Sequence, residues 1–114
     1  MQNTESIIET KKGNVIILRI KGKLDSELSP LIEKKACVLM SPDQNKFLID
    51  LSDVSYVNSA GLRMLLSVKK QLKGLKGKVV VCGLKDEVME IIKICGFDHV
   101  LEIYDDEENS LKQF

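Results

Sequence analysis

Apolar positions along the chain switch period several times, and each switch marks a boundary. Ser6 to Thr10 and Val15 to Ile20 are rich in β-branched residues, and Lys11-Lys12-Gly13-Asn14 between them reads as a hairpin turn, with glycine where a positive φ is expected. The pattern predicts an antiparallel pair. After Gly22 the spacing lengthens: Leu28, Leu31, Ile32, Ala36 and Leu39 fall on one face of a helix that starts between Asp25 and Ser29, takes Pro30 in its first turn, and stops before Ser41-Pro42. Phe47 to Leu51 is a second buried strand, followed by a polar connection. A helix from Ser59 to Leu72 then carries Leu62, Leu65, Leu66 and Leu72 inward, with Gly74 as its C-cap. Lys78 to Cys82 reads as a strand, and Asp86 to Cys95 as a helix with Val88, Ile91, Ile92 and Cys95 inward and Gly96 at its end. Leu101 to Tyr104 adds a short strand, and Asp105 with Glu108 has the spacing of a capping box for a terminal helix bearing Leu111 and Phe114.

Alternating strands and helices joined by short connections imply right-handed parallel crossovers, so the strands at Val15, Phe47 and Lys78 run the same way. The fold class is α/β: a mixed sheet of four to five strands, an antiparallel N-terminal hairpin followed by parallel βαβαβ, with helices packed against it. In such sheets binding sites collect beyond the carboxyl ends of the strands. That edge receives Gly22 to Ser26, Ser52 to Ser59 and Gly83 to Lys85.

Composition narrows the class. With 114 residues, 44% hydrophobic and 30% charged, the chain suits one compact domain spanning 1–114. Seventeen basic residues balance seventeen acidic ones, so the footprint of a nucleic-acid binder or of a protein held on anionic lipid is missing. Lys69, Lys70, Lys73 and Lys76 crowd the end of the central helix, where cations complement the dipole, and read as a solvated face. Cys37, Cys82 and Cys95 are odd in number and far apart, and read as small core residues in a reducing cytosol. The opening MQNTESIIETKK lacks the order of a signal peptide, and no apolar run approaches a bilayer span. These features lead to the expectation of a cytoplasmic protein with protein partners and no membrane contact.

The most informative stretch is FLIDLSDVSYVNSAGLRMLL, Phe47 to Leu66, where Asn58-Ser59-Ala60-Gly61 opens an apolar helix. A helix start presents unpaired N–H groups and about half a positive charge, so a phosphate on Ser59 suits the position. Small neighbours at Ala60 and Gly61 let another surface approach the backbone, or serve tight helix-to-sheet packing. Leu62 reads mainly as core. Catalytic constellations are missing: His99 is the single histidine and lies far from Ser59 in sequence, and the glycines fit no phosphate-cradling loop. Asp25, Asp50 and Asp53 form no metal-ligand pattern; Asp53 reads as turn chemistry, and Asp25 either caps the first helix or belongs to the edge that carries Ser59. No catalytic residue, metal or cofactor is expected.

The chain resembles the STAS domains, and among them the stand-alone bacterial anti-sigma-factor antagonists. The resemblance covers nearly the whole length and is carried by VIILRIKGKLD with Gly22, Leu24 and Asp25, by the Phe47–Leu66 motif, and by VVVCGL followed by a helix ending at CGF. It implies partner switching by a protein that is not an enzyme. The unmodified antagonist binds an ATP-binding serine kinase that is also the anti-sigma factor, which frees the sigma factor for transcription in a stress response. Phosphorylation of the motif serine, here Ser59, ends the complex, and a metal-dependent PP2C-type phosphatase restores it. Asp25, Ser26, Asn58, Ala60, Gly61 and Leu62 are the partner-binding positions this implies, in a monomer or weak dimer. Many phosphorylated relatives carry Asp before the serine; Asn58 keeps the capping ability and removes a charge. The alternative is an unphosphorylated STAS adaptor in a signalling or transport-associated complex.

Overall fold

A computed structural model of the protein describes residues 6–114. The expectation that the first residues hold no signal segment falls in part on residues 1–5, outside the described residues. Five strands form one sheet in the order β1-β2-β3-β4-β5. Strands β1 (Ile7–Lys12) and β2 (Val15–Leu24) are antiparallel, joined by Gly13-Asn14 with Gly13 at φ 60°. Strand β3 (Lys46–Val57) lies parallel to β2, β4 (Lys78–Cys82) parallel to β3, and β5 (Ile103–Tyr104) parallel to β4. Helices α1 (Ser29–Leu39), α2 (Ser59–Gly74), α3 (Asp86–Ile94) and α4 (Glu107–Leu111) complete the fold, with a 3-10 turn at Phe97–His99.

The two sheet faces differ. One face buries Ile16, Leu18, Ile20, Phe47, Ile49, Leu51, Val79 and Val81 against Ile32 and Ala36 of α1, Leu65, Val68 and Leu72 of α2, and Val88 and Ile92 of α3. The reverse face holds Val15, Ile17, Leu48, Val80 and Cys82, covered by Leu111 and Phe114 from α4 and its tail, with Tyr104. At about 25 cal/mol per Å² of apolar surface, the larger cluster dominates folding and fixes where the ends of the parallel strands lie.

Strands β2 and β3 are longer than the alternation of the sequence implies, β4 matches it, and β5 is shorter, confined to Ile103–Tyr104 where the sequence implies Leu101 to Tyr104. Where β2 moves from Arg19 to Lys21, β3 moves from Asp50 to Asp53, and where β2 moves from Gly22 to Lys23, β3 moves from Val54 to Tyr56. Two extra residues on β3 break the period of two, so Ser52 to Val57 reads as a loop in sequence yet continues the strand. Asp53 is therefore a strand residue paired with Lys21, not part of a turn. Gly22, at φ 111°, lies in β2 opposite the bulged stretch of β3.

Helix ends shift for similar local reasons. Gly74 is the last residue of α2; Leu75 is the C-cap, Lys76 takes the left-handed conformation at φ 59°, and Gly77 donates to the Leu72 carbonyl. This is a Schellman closure with lysine where glycine is usual. The acidic cap of α4 is Asp106, which accepts from Asn109 N–H at 2.8 Å, one residue later than the Asp105–Glu108 spacing implies. That register buries Ser110 and sets Glu107 beside Arg19. Of the three cysteines only Cys82 is buried; Cys37 and Cys95 are exposed, contrary to the expectation of core residues. Cys37 donates to the Gln71 side chain, and Ile91 and Cys95 fall on the outer side of α3, whose two buried residues, Val88 and Ile92, already fill its inner face.

Candidate functional site

The β2 and β3 extensions carry the chain past the end of β4, and Leu24 pairs with Val57 at their limit. The next residues, Asp25 and Asn58, therefore emerge side by side. Asn58 is extended, its N–H donates to the Leu24 carbonyl at 3.2 Å, and its Oδ1 accepts from Ala60 N–H at 3.0 Å and Gly61 N–H at 3.3 Å. It is a complete N-cap, worth about 1 kcal/mol by its side chain. Ser59 is the first residue of the 16-residue α2, and it is exposed.

Asp25 orders the neighbouring loop. Its Oδ1 accepts from the N–H groups of Glu27 at 3.1 Å and Leu28 at 3.0 Å, and its carbonyl accepts from Ser29 N–H at 2.9 Å. The carboxylate thus closes the turn that leads into α1, while Leu28 occupies the cap position with no side-chain cap bond. Ser26 is exposed beside it. Of the expected positions, Asp25, Ser26, Asn58, Ser59 and Ala60 reach the surface at least in part, whereas Gly61 and Leu62 are buried. A Cβ on Gly61 would meet the Leu24 carbonyl at 2.5 Å and the Leu24 Cβ at 2.9 Å, so this glycine is demanded by the seat of α2 on β2.

The edge is narrower than the topology alone implies. Gly83 leaves β4 beside Ser52 and Asp50, where a Cβ would lie 3.0 Å from the Ser52 Cβ and 3.1 Å from an Asp50 oxygen, so Gly83 to Lys85 joins the sheet edge well below Ser59. Asp50 faces Arg19 at 3.6 Å and accepts from Ser52 N–H. It belongs to the reverse face, where Glu107 also meets Lys12 at 2.6 Å and Arg19. The hydrogen bond from Lys12, aided by Arg19, holds the Glu107 carboxyl below its usual range against the opposing effect of burial. Burial and then the Asp50 charge push the Cys82 thiol up to about 11, which leaves it protonated and unreactive. His99 is exposed in the 3-10 turn, next to Val100, whose carbonyl accepts from Lys69. Lys69 lies ten residues along α2 from Ser59, about 15 Å by helix rise, and no group of three or more metal-ligating side chains occurs among the described residues.

Two residues near Ser59 escaped the sequence reading. Tyr56 is 48% exposed, a large aromatic left on the surface of the β3 extension opposite Lys23. Arg63 is exposed one helical turn beyond Ser59 and forms no ion pair among the described residues. The spacing of four was the available signal for Arg63; nothing in the alternation marked Tyr56.

This arrangement, an exposed serine directly after the asparagine that caps its helix, at the end of a bulged parallel pair, occurs in a chain whose residues 6–110 match the family model of the STAS domain. The chain belongs to the STAS family. It is 29% identical over 104 residues to BtrV of Bordetella bronchiseptica, named as a candidate anti-sigma factor antagonist, with 91% of this chain and 90% of that protein covered. It is 26% identical to the anti-sigma-B factor antagonist of Listeria monocytogenes over 84% of each chain. Among solved structures, the unphosphorylated anti-sigma factor antagonist SpoIIAA superimposes with a TM-score of 0.78 at 15% identity, covering 94% of each chain, and the phosphorylated form of Bacillus SpoIIAA with 0.71 at 14% identity, covering 94% and 97%. At those identities the structural likeness establishes the fold.

Proposed function

We propose that this chain is an anti-sigma factor antagonist that works by partner switching, with Ser59 as its phosphorylation site. Unmodified, it binds an anti-sigma factor that is an ATP-binding serine kinase and so releases a sigma factor for transcription; phosphorylated on Ser59, it lets the kinase go, and a PP2C-type phosphatase resets it. The single observation that carries this reading is the exposed Ser59 at the start of α2, flanked by the ordered Asp25 loop. The names of the relatives across most of the chain support the partner class.

The physics of the switch is local. A phosphoserine adds about 1.5 to 2 negative charges and strong acceptor oxygens at one point of an interface. A hundredfold loss of affinity needs only about 2.7 kcal/mol, which like-charge contact and desolvation readily supply. The partner surface would comprise Asp25, Ser26, Asn58 and Ala60, with Gly61 and Leu62 supporting it from beneath. Asn58 in place of an acidic residue leaves the cap intact and lowers the negative charge beside the incoming phosphate.

The test is a pull-down from native extract with the unmodified protein, followed by ATP and intact-mass analysis. Recovery of a small ATP-binding kinase that adds one phosphate, mapped to Ser59 and lost in Ser59→Ala, is the expected result. Stable complexes indifferent to Ser59→Asp would refute switching and favour an adaptor.

A further inference from the structure

The helix start that receives Ser59 is already largely satisfied. Asn58 Oδ1 holds the N–H groups of Ala60 and Gly61, and the Asn58 carbonyl holds that of Leu62. A phosphate on Ser59 therefore meets the helix dipole but few open amide donors, and its charge needs a further partner. Arg63 is that partner by position. Residues four apart on a helix place their Cβ atoms about 5–6 Å from each other, and an acidic group N-terminal to a basic one is the favourable order. Arg63 is exposed and forms no ion pair among the described residues.

The surroundings leave the guanidinium uncommitted. Arg63 lines a shallow groove of about 310 Å³ between α1 and α2, with Ala60, Met64 and Ser67 on its own helix and Ser29, Pro30 and Glu33 opposite. Glu33, the acidic residue of this groove, accepts instead from the Ser67 hydroxyl at 2.6 Å and from Gln71 at 3.2 Å. Ser29 is 2% exposed, and its Oγ has no hydrogen-bond partner. That hydroxyl is buried, so what the groove wall next to the switch offers is the unpaired Arg63 cation, which favours anionic oxygens.

We infer that Arg63 receives the phosphate on Ser59, so that phosphorylation both installs a dianion and withdraws the exposed cation of the α1–α2 groove. The inference rests on the Ser59 reading and names how that site is regulated: the charge change spreads one helical turn, from the tip of α2 into the groove, without movement of the backbone. A partner surface that meets an arginine before phosphorylation meets a neutralised pair and excess negative charge after it.

The test is a ³¹P NMR titration of protein carrying phosphoserine incorporated at position 59 during synthesis, compared with the same protein bearing Arg63→Gln or Arg63→Lys. Every variant keeps the Asn58 cap and the helix dipole, so a difference belongs to residue 63. The expected result is a second phosphate pKa lower in the parent than in Arg63→Gln by roughly 0.3 of a pH unit, partly recovered by Arg63→Lys and diminished at high salt. Identical titration of parent and Arg63→Gln, with matching circular dichroism, would overturn it. Because the phosphoserine is placed synthetically, this outcome is independent of whether a cellular kinase modifies Ser59; failure of that wider reading would appear instead as no phosphate on Ser59 in the intact-mass experiment.

Discussion

The tip of α2 and the reverse face of the sheet both gather charged and polar side chains, yet they treat them in opposite ways. Under α4, Lys12, Arg19, Asp50 and Glu107 satisfy one another, and Ser110 donates to the Asp106 carbonyl at 2.7 Å. At the tip of α2 the backbone is satisfied by Asn58, but Ser59 is exposed and Arg63 lacks an ion pair among the described residues. Groups that neutralise each other hold a structure together; groups left open at an ordered edge are available to something else. Ordering without neutralisation is what a recognition surface requires, because the loop entropy is already lost before a partner arrives.

The largest expected effect breaks the open side of the comparison. Ser59→Asp should weaken binding to the recovered kinase at least a hundredfold by titration calorimetry, about 2.7 kcal/mol, while the thermal midpoint of the free protein stays nearly constant because the carboxylate meets a helix N-terminus. Next comes the seat of that helix. Gly61→Ala places a methyl 2.5 Å from the Leu24 carbonyl, and the displacement of α2 should cost about 1–3 kcal/mol in urea unfolding. Asn58→Ala removes both cap bonds and should cost about 1 kcal/mol in the same assay.

Smaller effects probe the closed side. The folded-state pKa of Glu107 is depressed, so its contribution is present above the ordinary carboxylate range and is lost as pH falls through the folded value. Stability curves of the parent and Glu107→Gln should accordingly approach each other as pH falls from the ordinary carboxylate range and converge only below the depressed folded value, where both are neutral at this position. The weakest signal is chemical: an alkylating reagent at pH 8 should label Cys37 and Cys95 and spare Cys82, whose thiol is buried and raised to about 11. Mass spectrometry of the peptides reads it directly.

Legibility in the sequence followed the same division. Elements held by regular periodicity, such as Val15–Ile20, Leu62, Leu65 and Leu72 of α2 and Lys78–Cys82, were visible because one face of each is buried, whereas Leu66, also expected inward, is only partly buried. Those whose period is broken were not: the two extra residues of β3 disguised Ser52 to Val57 as a loop and hid the length by which β2 and β3 overrun β4. Ser59 was legible because an N-cap residue, a hydroxyl and two small residues fall in order before an apolar helix. The burial of Gly61 was left open, since only the distance to Leu24 distinguishes packing from access. Arg63 went unnoticed because an exposed arginine on a helix is ordinary until its neighbours prove to be engaged elsewhere.

The account turns on whether a phosphate on the exposed α2 serine is what separates this chain from its kinase. The direct measurement is the dissociation constant of the recovered kinase for unmodified protein and for protein stoichiometrically phosphorylated on Ser59, at one salt concentration, with a thermal melt of each form. The expected result is at least a hundredfold weaker binding of the phosphorylated form with little change in melting temperature. Equal affinity of the two forms would contradict it.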